Sequence, residues 1–120
     1  MKLRILFTLI FIFAGNVVSQ DTISSSDAMN FTNKIKHVKG KVAKVNVTKD
    51  STVFINFDYP FPNETFTAVI FKSHIGSVSY SNIIEGCIII VRGKIKKRKG
   101  TPNIIITEQS QIVKVECEQK

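Results

Sequence analysis

The stretch VRGKIKKRKGTPNIIITEQSQIVKVE, residues 91–116, decides the fold. Apolar runs flank Lys96, Lys97, Arg98, Lys99, Gly100, Thr101 and Pro102, the pattern of two strands joined by a basic turn. Five of these seven turn residues are Lys, Arg or Gly, so the hairpin tip concentrates positive charge on a stiff support. Two roles fit such a tip: an anion clamp, or a charged turn that deters edge-to-edge aggregation.

Working back towards the N-terminus, residues 87–95 form a strand whose run Ile88, Ile89, Ile90 and Val91 is apolar on both faces and is expected in mid-sheet. Residues 103–107 form the strand after the basic turn, and residues 111–115 extend it. Residues 72–85 are polar and serine-rich, a loop with room for one helical turn and an apolar spot at Ile83 and Ile84. Residues 66–71 and 52–57 are two more strands; in the second, Val53, Ile55 and Phe57 alternate with Phe54 and Asn56. The intervening DYPFPNET, residues 58–65, must be a connection, because Pro60 and Pro62 cannot donate to a ladder.

From His37 the period is again two. Val38, Gly40 and Val42 share a face, and a slip at Ala43 brings Val45 and Val47 into line, as in a bulged, coiled strand. Residues 20–36 read as a flexible leader in which Ser25 or Ser26 caps a single helical turn, with Ala28 and Phe31 on one side. Five β-branched strands, no βαβ alternation and a long insertion between the third and fourth predict a small closed all-β barrel over residues 37–117, with a tail at 118–120.

The segments VKGKVAKV, TVFINFDYPFPNETFTAVIF, GCIIIVRGKIKKRKGTPNIII and EQSQIVKV, from Val38 to Val115, resemble the OB-fold, and in particular the small secreted bacterial OB-fold domains described as nucleic-acid-binding. The resemblance implies a five-stranded Greek-key barrel with a short N-terminal helical turn. It also implies a contact region on the second and third strands and on the loops joining strands one to two and four to five. Similar domains can carry a simpler, less charged hairpin; this chain has four consecutive cations there.

Lys2 and Arg4 precede an apolar run from Ile5 to Ala14, and Val17 and Ser19 occupy the minus-three and minus-one positions of a cut before Gln20. Residues 1–19 therefore read as a secretory signal peptide. The run is about ten residues, short of the roughly 20 that span a bilayer. A secreted or periplasmic chain with no stable membrane insertion after cleavage is expected. Without Lys2 and Arg4, 15 of the 17 basic residues stand against 9 acidic ones, a net charge of +6. That surplus favours anionic partners: nucleic acid, acidic glycan or anionic lipid. Cys87 and Cys117 form an even pair for an oxidising compartment, read as a disulfide with two unpaired thiols as the alternative.

Nucleic-acid contacts need cations for phosphates and exposed aromatics for bases. The candidates are Lys44, Lys49, Arg92, Lys94, Lys96, Lys97, Arg98 and Lys99, with Phe54, Tyr59 and Phe61. Phe54 fits a core position as well as a stacking one, and Tyr59 and Phe61 fit the cover of a barrel end as well as a base platform. Single-stranded DNA or RNA is the expected partner, with an acidic glycan or a protein as the alternative. No enzyme is expected: Asp50, Asp58, Glu64, Glu85 and Glu108 are dispersed, and only Arg92 and Arg98 remain after signal cleavage. His37 and His74 are too scattered to complete a metal site with two cysteines, so neither metal nor cofactor is expected.

Overall fold

A computed structural model describes residues 22–118; the signal-peptide reading and the last two tail residues lie outside them. The described chain is mostly β: β1 (Thr22–Ser24), β2 (Ile35–Val47), β3 (Val53–Phe57), β4 (Phe66–Ile70), β5 (Ile88–Lys94), β6 (Lys96–Arg98), β7 (Thr101–Ile105) and β8 (Ile112–Glu116). Short 3-10 segments occupy Ser25–Phe31, Lys72–Ser77 and Gln109–Gln111. Strands hydrogen-bond in the order β6-β7-β4-β3-β2-β5-β8, with β1 parallel to β2. No helix among the described residues is long and apolar enough to cross a membrane.

Where a closed barrel of five strands was expected, the sheet has eight strands and its hydrogen-bonded path is open between β6 and β8. Three local causes account for the difference. The leader is built rather than loose: Thr22, Ile23 and Ser24 pair with His37, Val38 and Lys39. The basic segment is largely strand, since Lys96, Lys97 and Arg98 pair with Asn103, Pro102 and Thr101. Its turn shrinks to Lys99 and Gly100, both at positive φ (50° and 85°), the backbone of a two-residue hairpin turn. The last strand breaks at residues 106–111, so β7 pairs in parallel with β4 while β8 pairs with β5.

β2 bears three neighbours. Its first half pairs with β1 and β5, its second with β3, and the register shifts between Val42 and Lys44, at the slip read from Ala43. Gly40 lies under the first 3-10 segment: a Cβ there would stand 2.4 Å from Ser25 Oγ and 2.6 Å from Phe57 Cδ2. Ala28 of that segment is buried in the core, as the helical-turn pattern suggests, and Phe31 packs against its edge.

The core is the inward row of each strand: Val38 and Val42, Val53, Ile55 and Phe57, Phe66, Ala68 and Ile70, Ile89 and Val91, and Ile104. Phe57 and Phe66 meet edge to face at 5.0 Å, a favoured aromatic geometry. Ile83 and Val78 from the long loop close one side, whereas Ile84 and Val47 are exposed.

β5 and β7 are not ladder partners, yet they touch. Gly93 on β5 leaves room for Ile104, whose Cγ2 would lie 2.6 Å from a Cβ at that position. Beside it the Gln111 amide donates from Nε2 to the carbonyls of Arg92 and Ile105, both at 3.0 Å. Gln111 Oε1 accepts from Thr107 N, Thr107 Oγ1 and Glu108 N at 2.7, 3.1 and 3.1 Å. One side chain thus fastens the interruption between β7 and β8 to β5. Further along, the disulfide Cys87–Cys117 joins the residue before β5 to the residue after β8.

Candidate functional site

The side of β2, β3, β4 and β7 opposite the core forms a groove of about 570 Å³. Strand register arranges its floor in two rows: Asn46, Phe54 and Val69, then Asn56, Thr67 and Asn103. The second row is polar and deeply buried, with Asn56 3%, Thr67 6% and Asn103 6% exposed. Thr67 Oγ1 donates to Asn56 Oδ1 at 3.4 Å, a long bond. The carboxamide of Asn103 makes no hydrogen bond to any described residue and opens into the groove.

Loops wall the groove at both ends. Thr48 closes the end towards the β2–β3 turn, where its hydroxyl donates to Asp50 and holds that exposed carboxyl below the usual carboxylate range. At the other end stand Phe61, Pro62 and Glu64 of the β3–β4 loop, facing Arg98 and Lys99 of the β6–β7 hairpin. Phe61 is 73% exposed, a large apolar surface left to solvent at the mouth. Glu64 Oε1 is buried without a hydrogen-bond partner among the described residues.

Of the sequence candidates, the groove gathers Phe54, Phe61, Arg98 and Lys99. Lys96, paired with Asn103, and Lys97 sit on the exposed edge strand beside it. The others lie elsewhere. Lys44 stands 3.9 Å from Glu85, and Lys49 is exposed in the β2–β3 turn. Arg92 and Lys94 are exposed on β5, across the ladder from His37 and Ile35. Tyr59 borders a separate, shallower depression beside Lys39, Lys41 and Asp58.

That depression is a structural joint. Asp58 accepts hydrogen bonds from Ser25 Oγ at 2.7 Å and from Thr65 Oγ1, and its backbone N–H donates to Lys41 O at 2.8 Å. It ties the N-terminal 3-10 segment to the β3–β4 loop and so sets the base from which Phe61 projects. Glu108 takes part in a capping box with Gln111. No group of three or more His, Cys, Asp or Glu among the described residues is placed to hold a metal ion.

Sequence reasoning missed Asn46, Asn56, Thr67, Asn103 and Glu64. Asn56 carried a signal, a polar residue in an apolar strand, but its alignment with Thr67 and Asn103 depends on a parallel pairing that no local pattern announces. The groove can do three things chemically. It can stack a flat apolar ring on Phe54 or Phe61, hydrogen-bond an edge at its amide floor, and neutralise an anion at Arg98 and Lys99. Comparison with family models gives no match, and comparison with curated proteins gives none.

Proposed function

We propose that the chain is a secreted OB-fold binding module, not an enzyme, whose groove takes single-stranded nucleic acid. Support for the fold type comes from the pairing. β2 pairs with β3 and β5, β3 with β4, and β4 in parallel with β7, while β8 carries the interrupted last strand back to β5. Counted this way, β2, β3, β4, β5 and the interrupted β7–β8 make five strands about one core, with β1 and β6 as additions at its edges. Support for export comes from the signal-like N-terminus and from the Cys87–Cys117 bridge, which suits an oxidising compartment.

The observation that carries the functional reading is the meeting of aromatic faces and cations in one channel: Phe54 and Phe61 with Arg98 and Lys99. Bases stack on rings without regard to sequence, and the backbone follows positive charge. The test replaces Lys96, Lys97, Arg98 and Lys99 by Gln. These residues are exposed, so the fold persists, while oligonucleotide affinity falls and the log-affinity against log-salt slope flattens by roughly 0.7 per lost phosphate contact. A folded variant with unchanged affinity and slope refutes the reading.

A second reading, a protein-interaction module, is favoured by the exposure of Tyr59 and Phe61 on one Pro-rich loop. Under it, Phe61→Ala abolishes partner binding with little dependence on salt.

A further inference from the structure

The groove floor holds more hydrogen-bonding capacity than indiscriminate stacking requires. Asn103 is nine-tenths buried, has no hydrogen-bond partner among the described residues and opens into the groove. Its neighbour Asn56 keeps its amide N–H groups uncommitted, because only its Oδ1 is engaged, by Thr67. In the same groove the Glu64 carboxylate has one oxygen cut off from water and unpaired. The Asn103 and Asn56 amides face the water of the groove, where a ligand edge can take the water's place, and the second oxygen of Glu64 is the one left open to such a ligand.

The chemistry of a completing ligand follows from the atoms. A carboxamide offers one acceptor and one donor side by side, and matches either a ring nitrogen next to an exocyclic amino group or a ring N–H next to a carbonyl, so a neighbouring group must choose between them. Adenine presents the first pair at N6 and N7 or N1, and cytosine at N4 and N3. An amino group carries a second N–H, which a carboxylate accepts. Thymine and uracil put a carbonyl oxygen at the corresponding place, and a carbonyl facing a carboxylate is repelled. The charge of Glu64 is also unfavourable to phosphate, so its place in the groove fits a base edge rather than the backbone.

We propose that Glu64, beside the edge that Asn103 holds, makes the groove selective for the amino-bearing bases, adenine, cytosine and guanine (at N2 and N3), over thymine and uracil. This rests on the nucleic-acid reading above and refines it: Arg98 and Lys99 hold the backbone, Phe54 and Phe61 stack, and the amide floor holds the edge.

The experiment measures fluorescence anisotropy of the mature chain with labelled oligo-dA, oligo-dC and oligo-dT of equal length at one salt concentration. Expected affinities for dA and dC exceed that for dT by about tenfold, the size of one good edge contact. Asn103→Ala weakens binding of all three without altering the salt slope. Glu64→Gln, with folding checked by circular dichroism, raises all three affinities through its lost charge while narrowing the dA-to-dT ratio. Equal binding of the three by the parent chain overturns the proposal and leaves the nucleic-acid reading standing. Preserved selectivity in a folded Glu64→Gln also overturns it. Absence of binding to every oligonucleotide refutes both.

Discussion

Replacing Gln111 by Ala tests whether a single side chain holds the open sheet together. The substitution removes five hydrogen bonds at once: two donated by Nε2 to Arg92 and Ile105, and three accepted by Oε1 from Thr107 and Glu108. The site is half-exposed, so water replaces part of each bond, and a net of about 0.5 kcal/mol apiece gives a loss of about 2–3 kcal/mol. For a domain of this size that lowers Tm by roughly 10 °C. Urea denaturation with the disulfide intact measures the loss directly, as a lower midpoint at unchanged slope.

Gln111→Glu sharpens the test. It keeps the acceptor for three donors but turns a second oxygen towards two carbonyls, so the two bonds donated by Nε2 are lost and replaced by repulsion. A Gln111→Ala chain within about 0.5 kcal/mol of the parent, or a Gln111→Glu chain as stable as the parent, refutes the fastening role.

Two further substitutions bear on the frame. Gly40→Ala places a methyl against Ser25 and Phe57 and costs about 1–3 kcal/mol; adding Ser25→Ala recovers only part of it, because Phe57 remains, and a neutral Gly40→Ala in urea denaturation contradicts the close packing. Cys87→Ala with Cys117→Ala removes a cross-link spanning a separation of 30 residues and lowers stability by about 3–4 kcal/mol. Reductant brings the parent chain to a similar midpoint, and an unmoved midpoint counts against the bridge as a stabiliser.

Much of the frame was legible because period-two patterning is a local signal. Val53, Ile55 and Phe57 are buried as their alternation indicates, and the slip at Ala43 coincides with a register shift between β2 and β3. What escaped was non-local. That Lys96, Lys97 and Arg98 continue the ladder follows from their reach to Thr101, Pro102 and Asn103, which charge-rich composition conceals. The leader became ordered because β2 has a free edge for Thr22–Ser24 and because Gly40 leaves space for Ser25.

The site divided along the same line. Phe54 and Phe61 could be named from their residue type, and Arg98 and Lys99 from the turn. Arg92 and Lys94 share that charge but stand on a different part of the sheet, a distinction set by the β2–β5 register. The amide floor exists only once β7 lies beside β4, since Asn103 meets Thr67 from a distant part of the chain.

The position of β2 among three partners also orders the events of folding. β2, β3 and β4 follow one another and pair as a meander, so they can zip together while loops are short. β5 must then find the outer half of β2, pairing Lys94 with Ile35, and β7 must find β4. Such distant pairings pass through slow loop closures, which places the domain among the folders of about milliseconds to seconds. The groove is completed by the slow event, because Asn103, Arg98 and Lys99 arrive with β7, whereas Asn56, Thr67 and Phe54 stand in the early meander. Under the proposed function, oligonucleotide binding should consequently lag behind the first burial of core side chains during refolding, and the interval between the two signals is a clock for the docking of the last strands.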